Sequence, residues 1–300
     1  MFGLCLGGNV FGWTLDEEQS FAVLDAYRAA GGNFIDTADV YGRRGAGEGS
    51  SEELIGRWMA ARGNRDELVI ATKVGVSRER HGLSAPTIAE ACEDSLRRLG
   101  TDRIDLYYAH QDDPGTPLEE TLVAFGTLIA EGRIRYAAAS NYSAERLAQA
   151  LELGRQAELA SYVALQAHYN LMERDYEREL APLCAEHGVA CVPYFGLAMG
   201  FLTGKYRPGG TDVDSPRAAR VVENYLNERG ARVLAALDEI AAARQVAVAA
   251  VALAWLAAQP TVLAPVASAR TPAQLAEALQ FVDLRLGDEE IAQLSAASAA

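Results

Sequence analysis

Short apolar runs alternate with longer amphipathic segments along nearly the whole chain. The runs at 3–8, 33–37, 68–74, 104–110, 134–140, 162–168, 189–195 and 261–267 are the strand candidates. Several are apolar almost throughout, as parallel strands covered on both faces should be. Between them the apolar spacing becomes helical. In 17–32, Phe21, Leu24 and Tyr27 recur at helical intervals, and Gly31-Gly32 stop the pattern. In 84–100, Pro86 lies near the start, Arg97 and Arg98 fall in the last turn, and Gly100 follows, an order that suits helix caps and dipole. In 143–157, Ser143 is placed to cap a helix N-terminus. The longest apolar stretch, "VAVAAVALAWLAA" at 246–258, is too short to span a bilayer and predicts a buried helix. "GDEEIAQLSAAS" predicts one more short helix, packed outside.

Eight strands, each followed by helix, with no polar linker between them, predict an α/β fold: a closed (β/α)8 TIM barrel. Residues 1–300 are expected to form a single domain, with extra helices near the C-terminus. The longest irregular stretch, about 196–226, follows the seventh strand, and such loops are commonly functional.

Charge narrows the partners. At −14 the chain would be repelled by nucleic acid and by an anionic membrane surface, so small molecules or other proteins are expected. Cys5, Cys92, Cys184 and Cys191 form no Cys-x-x-Cys pair and read as small core residues in a reducing compartment. The apolar N-terminus lacks a basic region and a cleavage site, so a cytoplasmic protein is expected.

In such barrels the working groups sit at the C-terminal ends of the strands. Those ends supply Asp36 with Tyr41 just beyond, Lys73, His110, Ser140-Asn141, Gln166, Tyr194 and Ser268. Singly, each has an ordinary structural reading; together they converge on one rim, and a buried Lys beside a buried Asp needs a reason. Other chemistries fit less well. The four histidines form no His-x-His ligand pattern, so no metal is expected. The seventh strand ends in a tyrosine, not the second carboxylate of a glycosidase. "GFLTGKY" is one residue short of a P-loop, and no Gly-x-Gly-x-x-Gly follows a strand. What remains is Tyr, Lys, Asp and His around one pocket. A Lys ammonium favours phenolate and lowers the tyrosine pKa, Asp holds the Lys, and a neutral His can bond a carbonyl oxygen. That set suits protonation of a carbonyl becoming an alkoxide, with the hydride supplied by a reduced nicotinamide.

"FIDTADVYG", "ATKVG", "DLYYAHQDD", "AASNYS", "LQAHYN", "GFLTGKY" and "ASARTPAQL" stand in the order seen in the aldo-keto reductases, which the chain resembles over nearly its whole length. The resemblance implies Tyr41 as general acid, Lys73 as its tuner, Asp36 as partner of Lys73 and His110 as orienter of the carbonyl. It implies that Ser140, Asn141 and Gln166 hold a nicotinamide carboxamide and that Tyr194 stacks on the ring. Leu197, Gly200 and Lys205 would line the pyrophosphate. Ser268 and Arg270 would face an adenosine 2′-phosphate with Gln274 and Glu277 nearby, which favours NADPH.

Three features depart from the family pattern. A Tyr-Ser-Pro-Leu segment reads Tyr194-Phe195-Gly196-Leu197, Ala278 replaces an Asn at the adenine end, and the usual N-terminal β-hairpin is expected to be missing from the barrel floor. Trp13, in the first loop, is the candidate substrate-pocket wall. The expectation is therefore an NADPH-dependent enzyme reducing an aldehyde or ketone, either a monomer or a weak homo-oligomer. The alternative is a nicotinamide-binding regulatory subunit of a channel with slow turnover.

Overall fold

The computed structural model describes residues 1–157, 159–210 and 213–299; Thr211 and Asp212 of the predicted long loop lie outside the described residues. The strands are β1 (Cys5–Gly7), β2 (Phe34–Asp36), β3 (Val69–Val74), β4 (Ile104–Ala109), β5 (Ile134–Ser140), β6 (Tyr162–Gln166), β7 (Ala190–Cys191) and β8 (Val266–Ala267). They form an eight-stranded parallel sheet in the order β7-β6-β5-β4-β3-β2-β1-β8. The ends of that order meet. The Cys191 amide donates to the Thr261 carbonyl at 2.8 Å, and the Leu263 amide donates back to the Cys191 carbonyl at 2.8 Å. The sheet is thereby a (β/α)8 barrel.

Around it, among the described residues, lie α1 (Glu17–Ala29), α2 (Ser50–Arg62), α3 (Ala85–Leu99), α4 (Leu118–Ala130), α5 (Ala144–Gln156), α6 (Leu180–His187), α7 (Ala218–Tyr225), α8 (Glu228–Arg244), α9 (Val248–Ala257), α10 (Pro272–Leu279) and α11 (Asp288–Ala297). The caps explain several boundaries. Asp16 and Gln19 exchange side-chain and backbone hydrogen bonds as a capping box at the start of α1. Ser143 accepts from the Arg146 amide at 3.2 Å to open α5. Gly100 ends α3 at φ 61°, a left-handed conformation that costs glycine nothing. α9 is apolar on every side and buried, as its composition predicts. α8 and α9 are bent by 101° at their junction, and no single described helix is long and apolar enough to cross a membrane.

Strand alternation divides the apolar residues into two layers. Leu6, Ile35, Ile70, Tyr107, Ala139 and Leu165 face the helices in the larger core. Cys5, Phe34, Ala71, Tyr108, Ala138 and Ala164 fill the barrel interior. Tyr107 and Tyr108 are both fully buried, one in each layer, and Trp58 is buried with its indole N–H on Asp25 at 2.8 Å. None of these three is free for a substrate. All four cysteines are free thiols in buried positions. Residues 1–4 hold no strand, so no hairpin precedes β1 among the described residues.

Candidate active site

The same alternation carries polar residues inward one step above the interior layer. Asp36 follows Phe34, Lys73 follows Ala71, His110 follows Tyr108, Ser140 follows Ala138 and Gln166 follows Ala164, each two positions further along the chain, with His110 one residue past the end of β4. Parallel register sets them side by side, with Lys73 opposite Tyr108 and Ser140 opposite Gln166.

Lys73 is completely buried, and its ammonium is saturated with partners. It donates to Asp36 Oδ1 and Oδ2 at 2.7 Å each, to the Thr37 carbonyl at 2.7 Å and to the Tyr41 hydroxyl at 3.1 Å. Gln166 Nε2 adds a 2.9 Å bond to Asp36 Oδ1. A buried ion pair holds only when its remaining hydrogen-bonding capacity is met, and here it is. Burial works against the Lys73 charge, but Asp36 and then Tyr41 outweigh it and hold the ammonium above its ordinary pKa.

Tyr41 differs in direction from the sequence expectation. Burial raises its phenol pKa; Lys73 is the largest opposing influence, yet the net shift is upward. Tyr41 is therefore a proton-bearing phenol resting on a cation that would stabilise it once the proton leaves. The His110 ring meets the Tyr41 ring edge-on, with centroids 6.2 Å apart. Burial first, then the positive charges of Lys73 and Arg43, push the His110 pKa down to about 3, so the imidazole is neutral.

These groups close one end of a cleft of about 520 Å³, within the usual range for small-molecule sites. Asn141, at φ 55°, joins three strand ends: its amide donates to the His110 carbonyl at 2.9 Å and to Ser140 Oγ at 3.0 Å, and its Oδ1 accepts from the Tyr194 hydroxyl at 2.9 Å. The Tyr194 ring lines the cleft while stacking on His168 at 5.1 Å. Tyr194 lies past the end of β7, aligned by a 2.9 Å bond from its amide to the Ala167 carbonyl.

Further along, the turn after β7 is unusually strained. Phe195, Ala198 and Met199 have φ of 54°, 46° and 57°, and Gly200 follows at 99°. This turn brings Leu197, Gly200 and Lys205 to the cleft wall. At the far end stand Ser268, bonded to Asn9 Oδ1 at 2.6 Å, and Arg270, with Gln274, Glu277 and Ala278 lining the remainder. Trp13 lines the same cleft. The predicted site residues thus share one cleft, except that Lys73 lies beneath its floor and reaches it through Tyr41 and Asp36. Among the described residues no group of three His, Cys, Asp or Glu side chains is set to hold a metal ion.

Sequence reasoning missed three neighbours and one anomaly. Asn9 and Arg217 line the cleft, and Arg44 sits over the Trp13 ring. Asn9 could have been found as the polar residue just past β1; Arg44 and Arg217 lie in loops whose spacing carries no such signal. Asp39, read only as loop structure or a rim charge, is buried with neither carboxylate oxygen bonded.

The sequence profile of the Aldo/keto reductase family matches residues 3–299. The chain is 34% identical to norsolorinic acid reductase stcV of Emericella nidulans, over 97% of this chain and 76% of that protein. It is 32% identical to aryl-alcohol dehydrogenase [NADP(+)] of Phanerodontia chrysosporium, over 93% of this chain and 75% of that one. It is also 34% identical to a probable voltage-gated potassium channel subunit beta of Oryza sativa subsp. japonica, over 91% of this chain and 85% of the relative. With the barrel, the cleft and a match of this extent, the chain belongs to the aldo-keto reductase family.

Proposed function

We propose that the protein is an NADPH-dependent oxidoreductase, a single barrel domain over 1–300, that reduces an aldehyde or ketone to an alcohol. The observation that carries this reading is the buried Lys73 ammonium, bonded at once to Asp36 and to Tyr41 beneath a neutral His110. The cleft also fits an anionic dinucleotide. Lys205, Arg217 and Arg270 stand along it, and among the described residues none forms a salt bridge. On a chain of net charge −14 that is a local reversal of sign, suited to phosphates. Similarity to a dehydrogenase whose name carries NADP(+) points the same way.

When bound, a reduced nicotinamide supplies the hydride. The chain's own groups do the rest. His110 offers a neutral N–H to the substrate carbonyl oxygen and fixes its direction. Tyr41 passes its proton to that oxygen as negative charge develops there. Lys73 stabilises the phenolate left behind, and Asp36 keeps the ammonium charged and in place. Ser140, Asn141 and Gln166 present the hydroxyl and amides that would hold the nicotinamide's carboxamide.

Tyr41→Phe tests this. Aldehyde reduction, followed as NADPH consumption, is expected to fall by roughly 10²–10⁴-fold, while NADPH affinity measured by fluorescence changes little. Undiminished turnover would remove Tyr41 from the chemistry. A second reading, a regulatory subunit with slow turnover, draws on the likeness to the rice channel-subunit protein. Many turnovers per chain with a small aldehyde panel distinguish the enzyme from it.

A further inference from the structure

Tyr41 sits on the loop between β2 and α2, whereas its partner Lys73 sits within β3. The backbone bonds that tie this loop down lengthen around Tyr41. The Thr37 amide reaches the Ala71 carbonyl at 2.8 Å, but the Asp39 amide reaches the Lys73 carbonyl only at 3.4 Å and the Ser51 amide reaches the Tyr41 carbonyl at 3.5 Å. Gly42 then turns the chain at φ 95°, and four glycines between 42 and 49 leave the loop little side-chain packing of its own. Two side chains supply an outside hold. Arg43 donates from Nε to Glu48 Oε1 at 2.6 Å and from Nη2 to the Val76 carbonyl at 2.9 Å. Glu48 Oε2 accepts from the Ser77 hydroxyl at 2.9 Å and from the Arg78 amide at 3.2 Å. Val76, Ser77 and Arg78 belong to the segment that leaves β3, the strand of Lys73. Burial works against the Glu48 charge, but the bonds from Ser77, Arg78 and Arg43 outweigh it and hold the carboxyl below its ordinary pKa. On the loop's other side the Ala46 amide donates to the Gly12 carbonyl at 2.7 Å.

We propose that Glu48 and Arg43 are positioning residues for carbonyl reduction: they clamp the Tyr41 loop to the exit of β3 and so hold the Tyr41 hydroxyl on Lys73. This deepens the reductase reading above and rests on it. Lys73 is fixed by both Asp36 oxygens and the Thr37 carbonyl, so it cannot follow Tyr41 if the loop shifts. The bond to Tyr41, at 3.1 Å, is the longest of the four that Lys73 makes. A phenolate displaced from the ammonium is less stabilised, and a misplacement of about 1 Å can cost about a hundredfold in rate. Among the described residues, neither Glu48 nor Arg43 lines the cleft, so the clamp acts through Tyr41 and not by touching a ligand. Glu48 carries the test, because Arg43 also bears on His110 by its charge.

Glu48→Ala removes the hub of the clamp, and Glu48→Gln keeps an acceptor for Ser77 and Arg78 while losing the charge that faces Arg43. With benzaldehyde and NADPH, Glu48→Ala is expected to lose roughly ten- to a hundredfold in kcat, with aldehyde KM and NADPH affinity within about twofold of wild type. Glu48→Gln should recover part of that loss. Trypsin cutting after Arg44, followed by mass spectrometry, reports loop release without any turnover. It should be several-fold faster in Glu48→Ala, while cutting after other arginines is unchanged. Faster cutting with undiminished kcat overturns the proposal, because the loop then moves without Tyr41. A fall in kcat with unchanged cutting overturns it too, as does one matched by lost NADPH affinity and by cutting at other arginines, because the effect is then not that of the clamp. If the wild-type protein turns over no aldehyde, the reductase reading fails by that measurement alone, and the cutting rates decide the clamp by themselves.

Discussion

At the residue scale, Asp39 is the side chain that the proposed chemistry does not use. It is 4% exposed, and neither oxygen has a partner among the described residues. Burial, then the like charge of Glu52, push its carboxyl pKa up to about 8. Glu52 itself is held by Arg98 at 2.6 Å and by Thr72 at 2.5 Å, so the nearby cation is already engaged. An unfolded aspartate ionises near pH 4. Between about pH 4 and about pH 8 the unfolded chain has therefore lost this proton while the folded chain keeps it. Stability from this group falls as pH rises through that window, by at most about 1.4 kcal/mol per pH unit. Asp39→Asn keeps the shape and removes the titration. Its urea midpoint should gain on wild type as pH increases from 5 toward 8, roughly in line with that slope. An asparagine variant less stable by the same amount at every pH would mean that the ionised carboxylate is stabilised in the fold. Asp39 lies two positions before Tyr41, so its ionisation would strain the loop that carries the proposed acid.

At the scale of elements, the far end of the cleft is built by β8 and the N-terminus of α10. Thr271 caps α10 by accepting from the Gln274 amide at 3.2 Å, and Gln274 Oε1 accepts from the Arg270 amide at 3.0 Å. The Arg270 guanidinium donates to the Asp214 carbonyl at 2.8 Å. A cation held at a helix N-terminus favours a phosphate there. Arg270→Ala should weaken NADPH by roughly ten- to a hundredfold and NADH far less, the difference being the charge-assisted contact to the 2′-phosphate. Equal losses for the two cofactors in a fluorescence titration would take Arg270 away from that phosphate. Much of this layer was readable beforehand because its causes are local. Ser143 and Gly100 start and stop helices by chemistry within a few residues of themselves. The inward polar positions of β2 to β6 were readable because a strand has a fixed two-residue period. β7 and β8 were overread: apolar stretches of seven residues pair as ladders of only two, since apolar composition also suits the strained turn and closing segment beside them. Arg44 and Arg217 were not readable, because their meeting at Trp13 is set by two loops far apart in sequence.

At the scale of the whole molecule, barrel closure makes the cleft a property of the complete chain. Its lining runs from Gly7 at the end of β1 and Asn9 just past it to Glu277 and Ala278 in α10. Parallel pairing of β1 with β8, Cys5 beside Val266 and Leu6 beside Ala267, holds the first and last cleft walls together, and the bonds between Cys191 and the segment at Thr261–Leu263 close the ring on the β7 side. A ligand that touches both walls should therefore stabilise the barrel as one unit. At a free NADPH concentration about a hundredfold above Kd, the gain is about 2.7 kcal/mol. For a chain of this size that corresponds to a rise in Tm on the order of 5 °C. Calorimetry should show one transition that moves as a whole, and Arg270→Ala at the same NADPH concentration should lose about half of the shift or more. Two transitions, of which NADPH moves one, would mean that the chain divides into separately unfolding parts. The single-domain proposal would then fail, whatever the outcome for the individual site residues.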